Sequence, residues 1–293
     1  MMDLCHPILS YFKRNFGEPE RETTMCQLLG MNCNVPTDIC FSFTGFRARG
    51  GITDHHSDGW GIAFFENRGV RLFIDVEPSS KSPIAELVRT YPIKSRNVVA
   101  HIRKATQGSV SLENTHPFQR ELWGEYWVFA HNGNLKDFHP TLDGSFVPVG
   151  TTDSEKAFCY LLTRLKRRFE EIRPSDEMLI TALREFTLEI ASHGEFNYML
   201  SNGKTLFAHC STRLSYIIRK APFGAAHLKD EDVAVDFGAL TTPEDRVVVV
   251  ATTPLTQNET WTIMPAGTLA MFQHGTIVMK FDTVPYTGPI VTA

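Results

Sequence analysis

The sequence predicts an α+β fold with sheets and helices in separate layers. Two observations carry that expectation. Short apolar runs bounded by Gly, Pro, Asn and Asp dominate the first half and return near the C-terminus, as strands do. Between them lie two long helical patterns side by side, from Thr152 to about Ile172 and from Asp176 to Ser192. Strands, then adjacent helices, then strands again argue for stacked layers rather than alternating βαβ units.

Taken in order, residues Gln27 to Met31 read as a short strand, and Thr37 to Thr44 as a short helix with a Thr/Asp start. Arg49-Gly50-Gly51 breaks that helix, and Asp58-Gly59-Trp60-Gly61 forms a tight turn. Ile62–Phe65 and Val70–Ile74 flank Glu66-Asn67-Arg68-Gly69, which reads as a hairpin. Ser82 caps a helix that reaches Tyr91, with Pro83 at its first position. Asn97–His101 is a buried-type strand running into Arg103, and Tyr126–Ala130 is a second one running into His131-Asn132-Gly133. Thr152 and Glu155 have the spacing of a capping box. Six later strands are expected at 197–200, 206–209, 215–219, 246–251, 268–273 and 277–281. No repeat, low-complexity tract or clear linker interrupts the chain.

Composition narrows the function. The 293 residues are 42% hydrophobic and 21% charged, enough for a large core without disulfides or metals. A net charge of −4 gives no reason to expect a nucleic-acid or anionic-membrane partner. The six Cys are scattered without a C-x-x-C pair and read as free thiols of a reducing, cytoplasmic setting. The longest apolar runs fall short of a membrane span. No zinc spacing and no Gly-rich phosphate loop occurs, so no metal or cofactor is expected. Residues 1–24 lack a secretory apolar core and a small-residue cleavage pattern.

The candidate nucleophile is Cys26, which directly follows Met25. A Cys at a chain start would carry its own base, because a free α-amine has a pKa of about 7.7–8.0. Ordinary packing is the competing reading for any single Cys; Cys5, in the weakly patterned arm, is discounted. Arg103 ends a buried-type strand, where a lone charge is costly. It could meet an internal acid, or its fork could hold a ligand carboxylate with two bonds. Asn132-Gly133 is a turn signal by itself, but a side-chain amide and a glycine N–H could both face a developing oxyanion. One such donor is worth roughly 3 kcal/mol. Asp153, in a first helical turn, either complements the helix dipole or binds an ammonium. A Cys26–His116 dyad has no local support, and the histidines are expected to act mainly as hydrogen-bond groups that fix loops.

Seven motifs occur in one order: Met25-Cys26-Gln27-Leu28-Leu29-Gly30, Arg49-Gly50, Asp58-Gly59-Trp60-Gly61-Ile62, Ala100-His101-Ile102-Arg103, Asn114-Thr115-His116-Pro117-Phe118, Ala130-His131-Asn132-Gly133 and Thr152-Asp153-Ser154-Glu155. Together they resemble the class II (N-terminal-nucleophile) glutamine amidotransferases, in particular the stand-alone YafJ-type members. Thr253-Pro254-Leu255-Thr256, Asn258-Glu259 and Trp261 extend the likeness. The resemblance implies a four-layer αββα sandwich. It implies Cys26 as nucleophile with its α-amine as base, Asn132 and Gly133 as oxyanion hole, Arg103 on the substrate α-carboxylate and Asp153 on its α-amine. Arg49, Gly108 and His116 fall beside that site. The expected domain is 26–280, with 1–25 as a mis-assigned start or a propeptide and 281–293 as a tail. The first alternative for 1–25 is preferred; under either one Cys26 must be freed, because an amide nitrogen cannot act as base. The implied activity is hydrolysis of a γ-glutamyl amide, glutamine to glutamate and ammonia, with an unknown ammonia-accepting protein and a homodimer both open. The alternatives are a γ-glutamyl peptide hydrolase, a non-catalytic amino-acid-binding module that retains the arm, and a Cys-His hydrolase whose activity survives with the arm attached.

Overall fold

The computed structural model describes residues 26–54, 56–105 and 108–288. Cys5, Met25, His55, Gln107 and the arm 1–24 lie outside the described residues.

The chain opens with β1 (Gln27–Thr37), α1 (Cys40–Ala48), β2 (Trp60–Glu66), β3 (Gly69–Asp75), α2 (Pro83–Thr90) and β4 (Ser95–Ile102). It continues through β5 (Phe118–Leu122) and β6 (Glu125–Asn132) to the helices α3 (Asp153–Phe169) and α4 (Asp176–Ala191). Strands β7 (Asn197–Ser201), β8 (Leu206–Cys210), β9 (Ser215–Lys220), β10 (Ala225–His227) and β11 (Ala234–Asp236) follow. The last four are β12 (Arg246–Ala251), β13 (Thr262–Ile263), β14 (Thr268–Gln273) and β15 (Thr276–Asp282).

Two large antiparallel sheets form, one ordered β13-β9-β12-β1-β4-β2-β3 and the other β15-β14-β8-β7-β6-β5, while β10 and β11 pair as a separate two-stranded ribbon. Alternation along each strand sends side chains to two different cores. On the first sheet, Leu29, Met31, Ile62 and Phe64 pack under α1 and α2 with Phe43 and Phe46. Burying each of those two phenylalanines contributes roughly 1.5–3 kcal/mol. The opposite faces, Leu28, Ala63 and Val99 from one sheet and Val128, Ala130 and Met199 from the other, form the core between the sheets. Trp127, Phe129 and Tyr198 face outward onto Phe158, Leu162 and Phe186 of α3 and α4. The result is the expected four-layer αββα sandwich. Gly30 marks how closely the sheets approach: a Cβ there would lie 2.7 Å from the Met199 sulfur.

Several local expectations shift. β1 runs to Thr37 rather than Met31, because Thr37 pairs with Ser95 beyond an irregularity in the ladder. α1 therefore begins at Cys40, whose N–H is taken by the Asp38 carboxylate. Thr152 caps α3 as expected, its Oγ1 accepting from the Glu155 N–H at 3.2 Å. The Glu155 carboxylate, however, accepts from the Val149 and Gly150 N–H groups and meets Arg120. That pins the loop before the helix. At the C-terminal end, β15 runs through Asp282 and the Tyr286 N–H donates to the Ser211 carbonyl, so ordered contacts continue past residue 280.

Candidate active site

Cys26 immediately precedes the central strand β1, next to β4. Gln27 pairs with Ile102, so the register sets Cys26 beside the chain leaving β4 at Arg103 and Lys104. The sulfur is held there by one residue: the Lys104 N–H donates to Sγ at 3.1 Å and the thiol donates to the Lys104 carbonyl at 3.2 Å. Burial pushes the Cys26 thiol up to about 11; the Lys104 main chain and the Arg103 charge oppose this, and Asp58 adds to it.

Arg103 is buried, 3% exposed. Its guanidinium donates to the Ser109 carbonyl at 2.9 Å and reaches the Gly108 carbonyl at 3.4 Å. Burial pulls the guanidinium below its ordinary value, while Cys26 and Asp58 work against that. Asp58 braces the same stretch. Its N–H donates to the Arg103 carbonyl and its carboxylate accepts from the Ala105 N–H at 2.8 Å. The two bonds flank Lys104 and thereby fix the peptide that holds the thiol.

The second sheet supplies Asn132 and Gly133 at the end of β6. The Asn132 side-chain amide donates to the Cys26 carbonyl, so the two sheets meet at the head of β1. A Cβ at Gly133 would lie 2.0 Å from the Glu195 carbonyl, so only glycine fits the backbone there. Asp153, at the first turn of α3, accepts from the Leu135 N–H at 2.7 Å and the Ser154 N–H at 2.8 Å. It thus holds the loop that follows Gly133. Gly108 lies between the two: its carbonyl faces Arg103, and a Cβ built on it would lie 3.3 Å from the Thr152 side chain. Cys26, Arg103 and Asn132 are therefore adjacent, with Gly133, Gly108 and Asp153 tied on through main-chain contacts.

Two candidates take other positions. Arg49 spends its donors on Asp230, Thr253, Pro254 and the side chain of Gln27. It braces the residue next to Cys26, without a direct bond to the thiol among those contacts. His116 packs its ring on His101 at 4.2 Å and on Phe118 at 4.6 Å. Among the described residues no group hydrogen-bonds the His116 ring, which departs from the expectation of loop-fixing groups; the His101 ring meets the His131 main chain. Burial holds both rings neutral, well below the usual histidine range. His131 does fix a loop. Its Nε2 donates to the Glu195 carbonyl, which leaves Nδ1 to accept from Ser154.

Sequence reasoning missed the parts played by Lys104, Asp58 and Asn197. Asn197 is fully buried and donates to the Asn132 carbonyl at 3.1 Å. An Asn opening an otherwise apolar strand was the available signal, because Asn is depleted in strands. Among the described residues there is no cluster of three or more His, Cys, Asp or Glu suited to a metal, and no helix long and apolar enough to cross a membrane.

The profile of the glutamine amidotransferases, class II, matches residues 25–287. The chain belongs to the class II glutamine amidotransferases. A Haemophilus influenzae protein assigned by name to the glutamine amidotransferases is 56% identical over 261 residues, covering 89% of this chain and 88% of that one. YafJ of Escherichia coli, assigned in the same way, is 53% identical over 251 residues, 86% of this chain and 98% of YafJ. The crystal structure of a predicted glutamine amidotransferase from Pseudomonas aeruginosa superposes with a TM-score of 0.70 at 48% identity, covering 87% of this chain and all of that one. At 12% identity and a TM-score of 0.53, the glutamine phosphoribosylpyrophosphate amidotransferase of B. subtilis shares the fold; the likeness covers 88% of this chain and 49% of that one.

Proposed function

We propose that this family member hydrolyses a γ-glutamyl amide through a thioester on Cys26, with glutamine as substrate and glutamate and ammonia as products. The observation that carries the reading is the bond from the Asn132 amide to the Cys26 carbonyl, with Arg103 alongside. It supports reading Cys26 as nucleophile, Asn132 as oxyanion donor and Arg103 as carboxylate-binding cation, because the three lie together where β1 begins and β4 and β6 end.

The chemistry requires Cys26 to begin the active chain. Joined to Met25, its nitrogen is an amide with no basic lone pair. Released, the α-amine takes the thiol proton and the thiolate attacks the γ-carbonyl. The Asn132 amide has two hydrogens; one is engaged by the Cys26 carbonyl, and the other is available to the tetrahedral oxyanion together with the Gly133 N–H. Collapse breaks the C–N bond, and the leaving nitrogen takes the proton back from the ammonium. Water then cleaves the thioester and frees glutamate. Arg103 holds the α-carboxylate and Asp153, whose oxygens keep unused lone pairs, the α-amine. The start of the family match at Met25 supports release at Cys26.

The test is glutamate release from glutamine and from γ-glutamyl dipeptides by a chain beginning at Cys26, beside the 293-residue form. The expected result is turnover by the shorter chain alone, abolished by Cys26→Ala. Faster turnover of the dipeptides would make the protein a γ-glutamyl peptide hydrolase. Equal turnover by both chains would rule out the amine as base, and none by either would leave an amino-acid-binding module.

A further inference from the structure

The oxyanion role given to Gly133 rests on one peptide group, and that peptide is gripped from behind. The carbonyl of Asn132 and the N–H of Gly133 belong to the same planar unit, in which a trans linkage points them in opposite directions. The Asn197 side-chain amide donates to that carbonyl at 3.1 Å. Asn197 lies opposite Asn132 in the β6–β7 register. It therefore meets the peptide at the last rung, where the ladder gives way to the loop.

Asn197 is itself held on every side. Its second amide hydrogen goes to Thr212 Oγ1 at 2.7 Å, and its oxygen accepts from the Ser211 N–H at 2.9 Å and the Thr212 N–H at 3.0 Å. Three of the four partners sit on the turn after β8, so the side chain has no freedom to swing. A fully buried Asn with every hydrogen bond made is a rigid lever rather than an adaptable surface group. At Gly133 itself, the Glu195 carbonyl closes the space a Cβ would need.

We propose that Asn197 is a positioning residue for the oxyanion hole, holding the Asn132 carbonyl so that the Gly133 N–H faces the reacting carbonyl. This inference rests on the γ-glutamyl hydrolase reading above. Donation into a carbonyl also polarises the N–H of the same peptide, strengthening it by about 10–30%. Asn197 thus acts on the transition state, in which the oxyanion has formed, and leaves ground-state binding through Arg103 and Asp153 alone.

The discriminating variant is Asn197→Asp in the chain beginning at Cys26. The isosteric carboxylate can still accept from Ser211 and Thr212, but it presents an acceptor to the Asn132 carbonyl. Asn197→Ser is the uncharged second variant, too short to reach that carbonyl. Wild type and both variants are compared for kcat and KM on glutamine. The alkylation rate of Cys26 by iodoacetamide, which forms no oxyanion, checks that the nucleophile is intact in each.

The expected result is a kcat lower by about tenfold or more in both Asn197 variants, below the roughly 10²–10³ cost of deleting a donor outright. KM should stay within about threefold, and alkylation should match wild type. An active wild type whose folded Asn197 variants keep kcat, or lose only KM, would overturn the positioning role by itself. A wild type that releases no glutamate would refute the hydrolase reading and this inference with it.

Discussion

Ionisation of Cys26 in the 293-residue chain is the sharpest consequence of the site's surroundings. The residue is only half-buried, but its sulfur is enclosed by the Lys104 main chain and takes a pKa of about 11, up from 9.0. Burial is the largest cause, because it penalises the charged form, and the Arg103 cation recovers only part of the loss. Two units correspond to about a hundredfold less thiolate at any pH below both values. At pH 7 roughly one thiol in 10⁴ is ionised, against one in 10² for the unperturbed group. Iodoacetamide alkylation, followed at the Cys26 peptide by mass spectrometry, reads this directly and separates it from Cys5. The rate should rise about tenfold per pH unit from 7 to 10 and bend near 11. Removing residues 1–25 places an ammonium beside the sulfur, which favours the thiolate, so the bend should move down by about one unit or more. An inflection at or below 9 in the uncut chain would refute the claim that enclosure governs this thiol.

Other consequences can be measured separately. Arg103→Lys should raise KM for glutamine by about tenfold or more with a smaller change in kcat, since an ammonium has no planar fork for a carboxylate or for the Gly108 and Ser109 carbonyls; an unchanged KM would remove Arg103 from the substrate site. His209 is fully buried, and burial brings it to about 4 from 6.5. The unfolded chain therefore binds more protons, so stability is complete above pH 6.5 and falls towards pH 4, by roughly 3 kcal/mol for this group. Thermal unfolding of His209→Gln across that range should show a shallower pH slope than wild type, and an identical slope would count against the assignment. Buried His101 and His116 act in the same direction, so the slope should shrink without vanishing.

What the sequence determined by itself was whatever is encoded within a few neighbouring residues. The hairpin now seen as β2 and β3, the Ser82 and Thr152 caps and the paired helices α3 and α4 are all local. So is the presence of Cys26, Arg103, Asn132-Gly133 and Asp153 at strand ends and in a first helical turn. Motif order then pointed to the family and its layered sandwich. The tertiary structure decided the partners. Whether Arg49 would meet a ligand or Asp230 depended on a residue 181 positions away, and whether His116 would hydrogen-bond or stack depended on which core received it. The short strands β10, β11 and β13 escaped notice because two or three residues carry no period, and pairing alone defines them. The Asn197 grip on Asn132 was hidden for the same reason: it arises from the antiparallel register between β6 and β7, and local patterns carry no record of which strand will lie alongside.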